Sequence, residues 1–345
     1  MSLHSEIREQ PDRIRSLLAA QKEPAMRIAE AIQKRQVRYV FLAARGTSDN
    51  AGRYANYLLG AHNGLPLALA TPSLFTYYKQ PPRLQDALVI GISQSGQSPD
   101  IVSVLAEARR QGCPTLTITN EVSSPLAAVS DFILELGAGR EQAVAATKTY
   151  TAELMAIALL STALHGEGKA WRELERVAGW MEAALAQDTS IAEAIQRYRY
   201  MEQTVVLGRG YNYATAFEWA LKLKELTYVI AEPYSTADFL HGPIAMLERG
   251  FPVMAVASRG KVLAPLVGMI RQLKRDFQAE LVVISNDPKA LALAATPLAI
   301  PADVPEWLSP LVNILPAQLF AYHLTRARGF DPDHPRSIQK VTETR

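Results

Sequence analysis

The chain has 345 residues, 48% hydrophobic and 20% charged, a globular composition long enough for two domains, which excludes disorder and fibrous repeats. Its 36 basic and 34 acidic residues leave a formal net charge of +2, so no charge surplus points to nucleic acid or an anionic membrane. A single cysteine, Cys113, excludes an internal disulfide or a multi-thiolate zinc site and suits a reducing compartment, taken to be cytoplasmic. Charges at Glu6, Arg8 and Glu9 argue against a signal peptide, and the best apolar candidate, residues 154–164, falls short of the roughly 20 residues a membrane span needs.

Residues 1–35 read as an N-terminal helical arm. Short apolar runs at 38–43, 87–92 and 115–119 then alternate with helical patterns, which predicts βαβ units around a parallel sheet. After a helical stretch at 169–199 the rhythm recurs at 204–207, 251–257 and 281–285. The spacing between copies is nearly constant: Gly46 to Gly210 is 164 positions, Ser93 to Ser258 is 165 and Asn120 to Asn286 is 166. Residues 152–159 and 317–324, 165 apart, agree at four of eight positions. A shared offset across four landmarks indicates an internal duplication. The expected organisation is the arm, a first domain at 36–168, linking helices at 169–199, a second domain at 200–329 and a C-terminal tail at 330–345.

The 87–92 run leads into Ser93-Gln94-Ser95-Gly96-Gln97-Ser98-Pro99-Asp100 and a helical pattern. Ser98 fits an N-cap and Pro99 the first helical position. A hydroxyl-rich turn opening a helix at the carboxyl end of a parallel strand offers N–H donors, a favourable dipole and neutral hydroxyls to a phosphate monoester; it reads equally as a capped helix with polar turn residues. It is neither a Walker A loop nor a dinucleotide fingerprint. A second polar turn, 45–50, follows the first strand, and the pair favours a sugar phosphate. The corresponding turns of the second copy lack the serine cluster, so one phosphate site per chain is expected.

The helix after Gly210 carries Glu218, Lys222 and Glu225 at i, i+4 and i+7, within a wedge of roughly 60° on an otherwise apolar helix. Either this is a buried acid–base–acid row with movable pKa values, or a solvated salt-bridge stripe. His241 lies in a loop-like segment at 238–243. His4, His62, His165, His323 and His334 show no metal-ligand spacing, so no metal site is expected. By itself Lys340 reads as a solvated tail lysine.

Taken in order, these motifs resemble the sugar isomerase (SIS) family, and within it the isomerase half of glucosamine-6-phosphate synthase and the stand-alone glucosamine-6-phosphate deaminases. The resemblance runs from Glu6-Ile7-Arg8-Glu9-Gln10-Pro11 to Lys340. It includes Gly46-Thr47-Ser48, Ser93-Gln94-Ser95-Gly96, Val144-Ala145-Ala146-Thr147-Lys148, Ala220-Leu221-Lys222-Leu223-Lys224-Glu225, His241-Gly242-Pro243 and Asp333-His334-Pro335-Arg336. It implies an α/β fold of two flavodoxin-like domains, each a parallel sheet sandwiched by helices, in a homodimer with active sites shared across subunits. It also implies a hexose or hexosamine 6-phosphate ligand cradled by Ser93, Gln94, Ser95 and Ser98, with Thr47 and Ser48 along the sugar and a backbone contact from Val144. Glu225 would move a proton between sugar carbons 1 and 2. Lys222 would stabilise the enediol-type intermediate or serve the ring oxygen, and Glu218 would support both. His241 would open the ring from the neighbouring subunit, and Lys340 would form a Schiff base with the ketose carbonyl. No metal or organic cofactor is required.

The implied reaction interconverts glucosamine 6-phosphate and fructose 6-phosphate plus ammonia. The synthase carries an N-terminal glutaminase domain, none is expected here, and glutamine would then serve as nitrogen donor only through a separate glutaminase partner. Arg45, Gln97 and Ala146 stand where the synthase has cysteine, glutamate and serine, and the Gln97-Ser98-Pro99-Asp100 version looks more like the stand-alone branch. The competing expectations are a deglycase acting on a fructose-amine 6-phosphate such as fructoselysine 6-phosphate, and a non-catalytic sugar-phosphate sensor.

Overall fold

A computed structural model of the chain describes residues 2–166 and 168–340. Contacts divide it into two compact units, one per sequence repeat. The first comprises Asp12–Glu141 and Lys148–Glu175, with Gln339 and Lys340; the second comprises Gln142–Thr147 and Arg176–Ile338, with the described residues up to Pro11. The N-terminal arm is thus divided. Its first helix, Leu3–Arg8, belongs to the second unit, and most of its second, Gln10–Lys34, to the first.

In the first unit β1 (Tyr39–Ala43), β2 (Leu67–Leu69), β3 (Ala87–Ile92), β4 (Thr115–Thr119) and β5 (Phe132–Glu135) form a wholly parallel sheet in the order β2-β1-β3-β4-β5. β1 and β3 pair in register from Tyr39 opposite Ala87 to Ala43 opposite Gly91. Every residue of β3 and β4 is buried, as expected of strands covered on both faces. Phe41, Val89, Ile101, Val104, Leu105 and Leu126 belong to one core cluster that includes the helix Pro99–Arg110. The helices Gly46–Asn63 and Lys148–His165 pack against each other, and the second is buried around its whole circumference from Lys148 to Thr162.

The second unit repeats this plan. β6 (Gln203–Gly208), β7 (Ile230–Ser235), β8 (Pro252–Val256), β9 (Glu280–Ser285) and β10 (Thr296–Ala299) are parallel in the order β10-β9-β8-β6-β7. Read from β7, this is the 2-1-3-4-5 order of the first sheet, the flavodoxin-like arrangement. The helices Tyr213–Lys222 and Ser309–Ala327 pair as their counterparts do, with the Trp219 and Phe320 rings edge to face at 5.6 Å. No described helix is long and apolar enough to cross a membrane.

Four strands carried no sequence signal: β2, β5, β7 and β10. All are sheet edges, short or interrupted by proline (Pro233 in β7, Pro297 in β10), and an edge strand tolerates a missing N–H that a central strand does not. The polar segment expected as a turn at 45–50 is helical from Gly46 onward, so Thr47 and Ser48 occupy a first helical turn. The loop-like segment before His241 contains a short helix, Thr236–Leu240, whose C-cap is His241.

Candidate active site

β3 ends at Ile92 and delivers Ser93 to Ser98 to the carboxyl edge of the first sheet. Gly96 N–H donates to Ser93 Oγ at 3.1 Å and Gln97 N–H to Ser95 Oγ at 3.3 Å, so the turn is bonded within itself. The Gln94 carbonyl accepts from Asn120 N–H at 3.2 Å, and Leu126 N–H donates to the Gly96 carbonyl at 3.1 Å. Gly96 is obligatory: its φ is +61°, and a Cβ there would lie 2.1 Å from Ser124 Oγ. Ser98 is the N-cap and Pro99 the first helical residue; the Ser98 hydroxyl makes no capping bond, and Asp100 Oδ1 accepts from the first-turn Ile101 N–H at 2.9 Å.

Behind this turn Asp100 is buried and takes a 2.7 Å charge-assisted bond from Arg45 Nε, which ties the end of β1 to the helix the serine turn opens. Thr47 is half-buried, whereas Ser48 is buried and donates to Glu153 Oε1 at 2.7 Å.

Glu141 lines a cavity of the first unit. Its side chain is 0% exposed; Oε1 accepts from Thr149 N–H at 3.2 Å and Oε2 from the Thr149 hydroxyl at 2.8 Å and from Lys340 Nζ at 2.6 Å. Lys340, expected on sequence grounds alone to be a solvated tail residue, is three-quarters buried through this pair. The surrounding cavity, about 710 Å³, is lined by Gln94, Ser95, Asn120, Glu121, Arg140 and Lys340 among others.

In the second unit the three charges of the Gly210 helix form a buried row. Lys222 Nζ lies 3.3 Å from Glu218 Oε1 and 2.5 Å from Glu225 Oε2, with side-chain exposures of 1%, 0% and 24% respectively for Lys222, Glu218 and Glu225. A solvated stripe is thereby excluded. Burial opposes the charge of Lys222, but Glu218 and Glu225 outweigh it, and the ammonium titrates above its ordinary value. Glu225 sits in a π-helical turn, Leu223–Thr227, that ends at Tyr228 in a left-handed conformation. Such turns widen a helix by one residue and recur at functional sites. Arg336 of the tail stacks on the Tyr228 ring at 3.8 Å and donates its N–H to the Tyr228 hydroxyl at 2.9 Å.

His241 is exposed, and Val144 is half-buried in an irregular segment between the buried Ala143 and Ala145. Of the expected tail, residues 341–345 lie outside the described residues. At the positions of the second unit matching Ser48, Ser93 and Lys148 stand Asn212, Ser258 and Asn313, all buried and hydrogen-bonded together: Asn313 Nδ2 donates to Asn212 Oδ1 and to Ser258 Oγ, both at 2.7 Å. The second repeat has filled this place with its own polar side chains.

Glu141 carries no signal in the sequence, and Glu6 stands there only as part of a motif with no role assigned to it. Both are buried carboxylates bonded to backbone N–H groups, Glu6 to the irregular segment at Gln142 and Ala143 and Glu141 to Thr149 in the first turn of a helix, roles that no periodicity reveals.

Two parallel α/β repeats, one ending in a serine-rich turn and the other bearing a buried carboxylate–ammonium–carboxylate row, define a duplicated protein of flavodoxin-like topology. The SIS domain model matches residues 35–163 and 199–327, and the chain belongs to that family. It is 37% identical to the isomerizing glutamine–fructose-6-phosphate aminotransferase of Gloeobacter violaceus over 87% of this chain and 51% of that protein. With its counterpart from Thermococcus kodakarensis the identity is 34% over 97% of this chain and 56% of that protein. The chain therefore spans about half the length of these relatives. Among solved structures, the C-terminal domain of glucosamine-fructose-6-phosphate aminotransferase from Francisella tularensis superposes with a TM-score of 0.87 at 27% identity, covering 96% of this chain and 98% of that one.

Proposed function

We propose that this protein is an amino-sugar phosphate isomerase that interconverts glucosamine 6-phosphate and fructose 6-phosphate plus ammonia. The observation that carries the reading is the buried Glu218–Lys222–Glu225 row, which supplies a mobile carboxylate beside a fixed cation. An aldose–ketose shift needs both, because it abstracts a weakly acidic proton next to a carbonyl and builds charge on oxygen. The turn from Ser93 to Ser98 binds the phosphate through hydroxyls and helix-terminal N–H groups.

In the deaminating direction His241, supplied by a second copy, opens the pyranose ring. Its exposure is consistent with service outside its own chain. Glu225 takes the proton from carbon 2 and returns it to carbon 1, while Lys222 balances the enediol-type charge. The resulting carbon 2 imine exchanges with the amine of Lys340, releasing ammonia, and water hydrolyses the lysine Schiff base to fructose 6-phosphate. Glu141, 2.6 Å from Lys340 Nζ, supports this step by offering an acceptor for the proton the ammonium must lose.

A second reading, a deglycase acting on fructose-amine 6-phosphates, is favoured by the cavity of about 710 Å³ beside Gln94 and Ser95, which gives room for an amine substituent. The deciding experiment supplies glucosamine 6-phosphate and fructoselysine 6-phosphate in parallel and follows ammonia, lysine and hexose phosphate. Ammonia and fructose 6-phosphate from the first alone support the isomerase; lysine released only from the second replaces it with the deglycase. Tight binding of fructose 6-phosphate without turnover of either overturns both readings in favour of a sensor.

A further inference from the structure

The motif Glu6-Ile7-Arg8-Glu9-Gln10-Pro11 has no role in the chemistry above, yet two of its polar residues, Glu6 and Gln10, are fully buried. Glu6 is 0% exposed although it sits on a helix of only six residues. Its carboxylate accepts two backbone N–H bonds from the second unit's irregular segment, from Gln142 at 2.6 Å to Oε1 and from Ala143 at 3.1 Å to Oε2. Gln10, also fully buried, donates to Gln318 Oε1 at 2.7 Å, and Gln318 Nε2 reaches the Thr147 carbonyl at 3.5 Å. Both ends of Gln142–Thr147 are thus tied, one by Glu6 and the other through the Gln10–Gln318 relay. Val144 lies between the two ties.

This segment has no strand ladder or helix to satisfy its amides, so its conformation depends on side-chain acceptors. A carboxylate held by two consecutive N–H groups makes short, strong bonds and fixes the orientation of both peptides. The helix that carries Glu6 is itself held: Leu3 N–H donates to Asp333 Oδ1 at 2.6 Å, and His4 Nε2 lies 2.7 Å from Asp188 Oδ2.

We infer that Glu6 is a positioning residue that sets the backbone around Val144 for the sugar, and that the N-terminal helix acts as a brace for substrate binding as well as a packing element. The inference rests on the proposed sugar-phosphate isomerase reading. Its test compares wild type with Glu6→Gln, which keeps the shape but replaces one acceptor oxygen by an NH₂ group that meets an N–H donor.

At 25 °C, KM for glucosamine 6-phosphate is expected to rise about tenfold with kcat within about threefold, and amide exchange is expected to accelerate at 142–147 while the strands of both sheets keep their protection. A uniform loss of protection with unchanged KM would overturn the inference, because that is the signature of a purely structural residue. Glu6→Asp, with a shorter reach but the same charge, is the second variant if Glu6→Gln fails to fold; it should show the same KM shift in smaller measure. If wild type fails to turn over the substrate, the isomerase reading fails by itself. Exchange at 142–147 and calorimetric affinity for fructose 6-phosphate then read the brace, and equality of both between wild type and variant overturns it.

Discussion

Replacing Lys222 by methionine keeps most of the side-chain volume and removes the cation between Glu218 and Glu225. Removing one partner of a buried ion pair costs about 3–5 kcal/mol, because the remaining charge loses its counter-ion. Glu225, at 24% exposure, is partly rehydrated; the penalty falls on Glu218, at 0%, which favours the lower end, about 3 kcal/mol. At roughly 2–4 °C per kcal/mol for a unit of this size, the unfolding midpoint should fall by roughly 6–12 °C at pH 7.5. The deficit should shrink at lower pH. Loss of the ammonium beside a buried carboxyl raises its folded-state pKa, so the destabilisation is full at high pH and is relieved as pH falls through that value. The double variant Lys222→Met/Glu218→Gln should recover most of the loss. Thermal unfolding followed by far-ultraviolet circular dichroism at pH 7.5 and 5.5 measures all three. A midpoint for Lys222→Met within 2 °C of wild type at both pH values, or a double variant no better than the single, would refute the buried row.

Ser95→Ala should leave the unfolding midpoint unchanged and raise KM for the sugar phosphate roughly tenfold or more, since a hydrogen bond to a charged group contributes about 1.5–3 kcal/mol; steady-state kinetics at saturating and limiting substrate decide it. Gly96→Ala forces a Cβ to within 2.1 Å of the Ser124 hydroxyl, which is itself bonded to Ala127 N–H, so the serine turn should distort and phosphate affinity should fall more than for Ser95→Ala; calorimetry with fructose 6-phosphate tests this. Asp188 is subject to burial, which raises its pKa, but the hydrogen bonds from His323 and His4 prevail and hold it below its ordinary value. Its contribution to stability is therefore present above pH 3.8 and lost as pH falls toward the folded value, and Asp188→Asn should flatten the acid limb of the stability curve measured by urea unfolding between pH 3 and 6.

The central strands were legible because burial on both faces writes them as continuous apolar runs, as in Ala87–Ile92. The edges were not, since β2 is three residues long and β7 and β10 contain proline, so nothing local separates them from loops. The charged row was visible from its i, i+4, i+7 spacing on an apolar helix. The contact of Lys222 with Glu225 also follows from their i, i+3 spacing, whereas the π-turn at Leu223–Thr227 has no signal in the sequence. The expected turn after β1 is a helix because Gly46 enters it at a φ of +53° without a capping side chain, which removes the usual signal. The partners of Glu6 and Glu141 were not legible, because the amides of Gln142 and Ala143 and the amine of Lys340 reach them only when distant parts of the chain come together.

Glu225 is proposed to carry one proton between carbons 2 and 1. The most direct measurement gives wild type and Glu225→Gln glucosamine 6-phosphate deuterated at carbon 2 and follows product by NMR. Wild type should form fructose 6-phosphate with part of the deuterium at carbon 1, and Glu225→Gln should bind the substrate with similar affinity but form no product. Undiminished turnover by Glu225→Gln, with deuterium still transferred, would contradict the assignment.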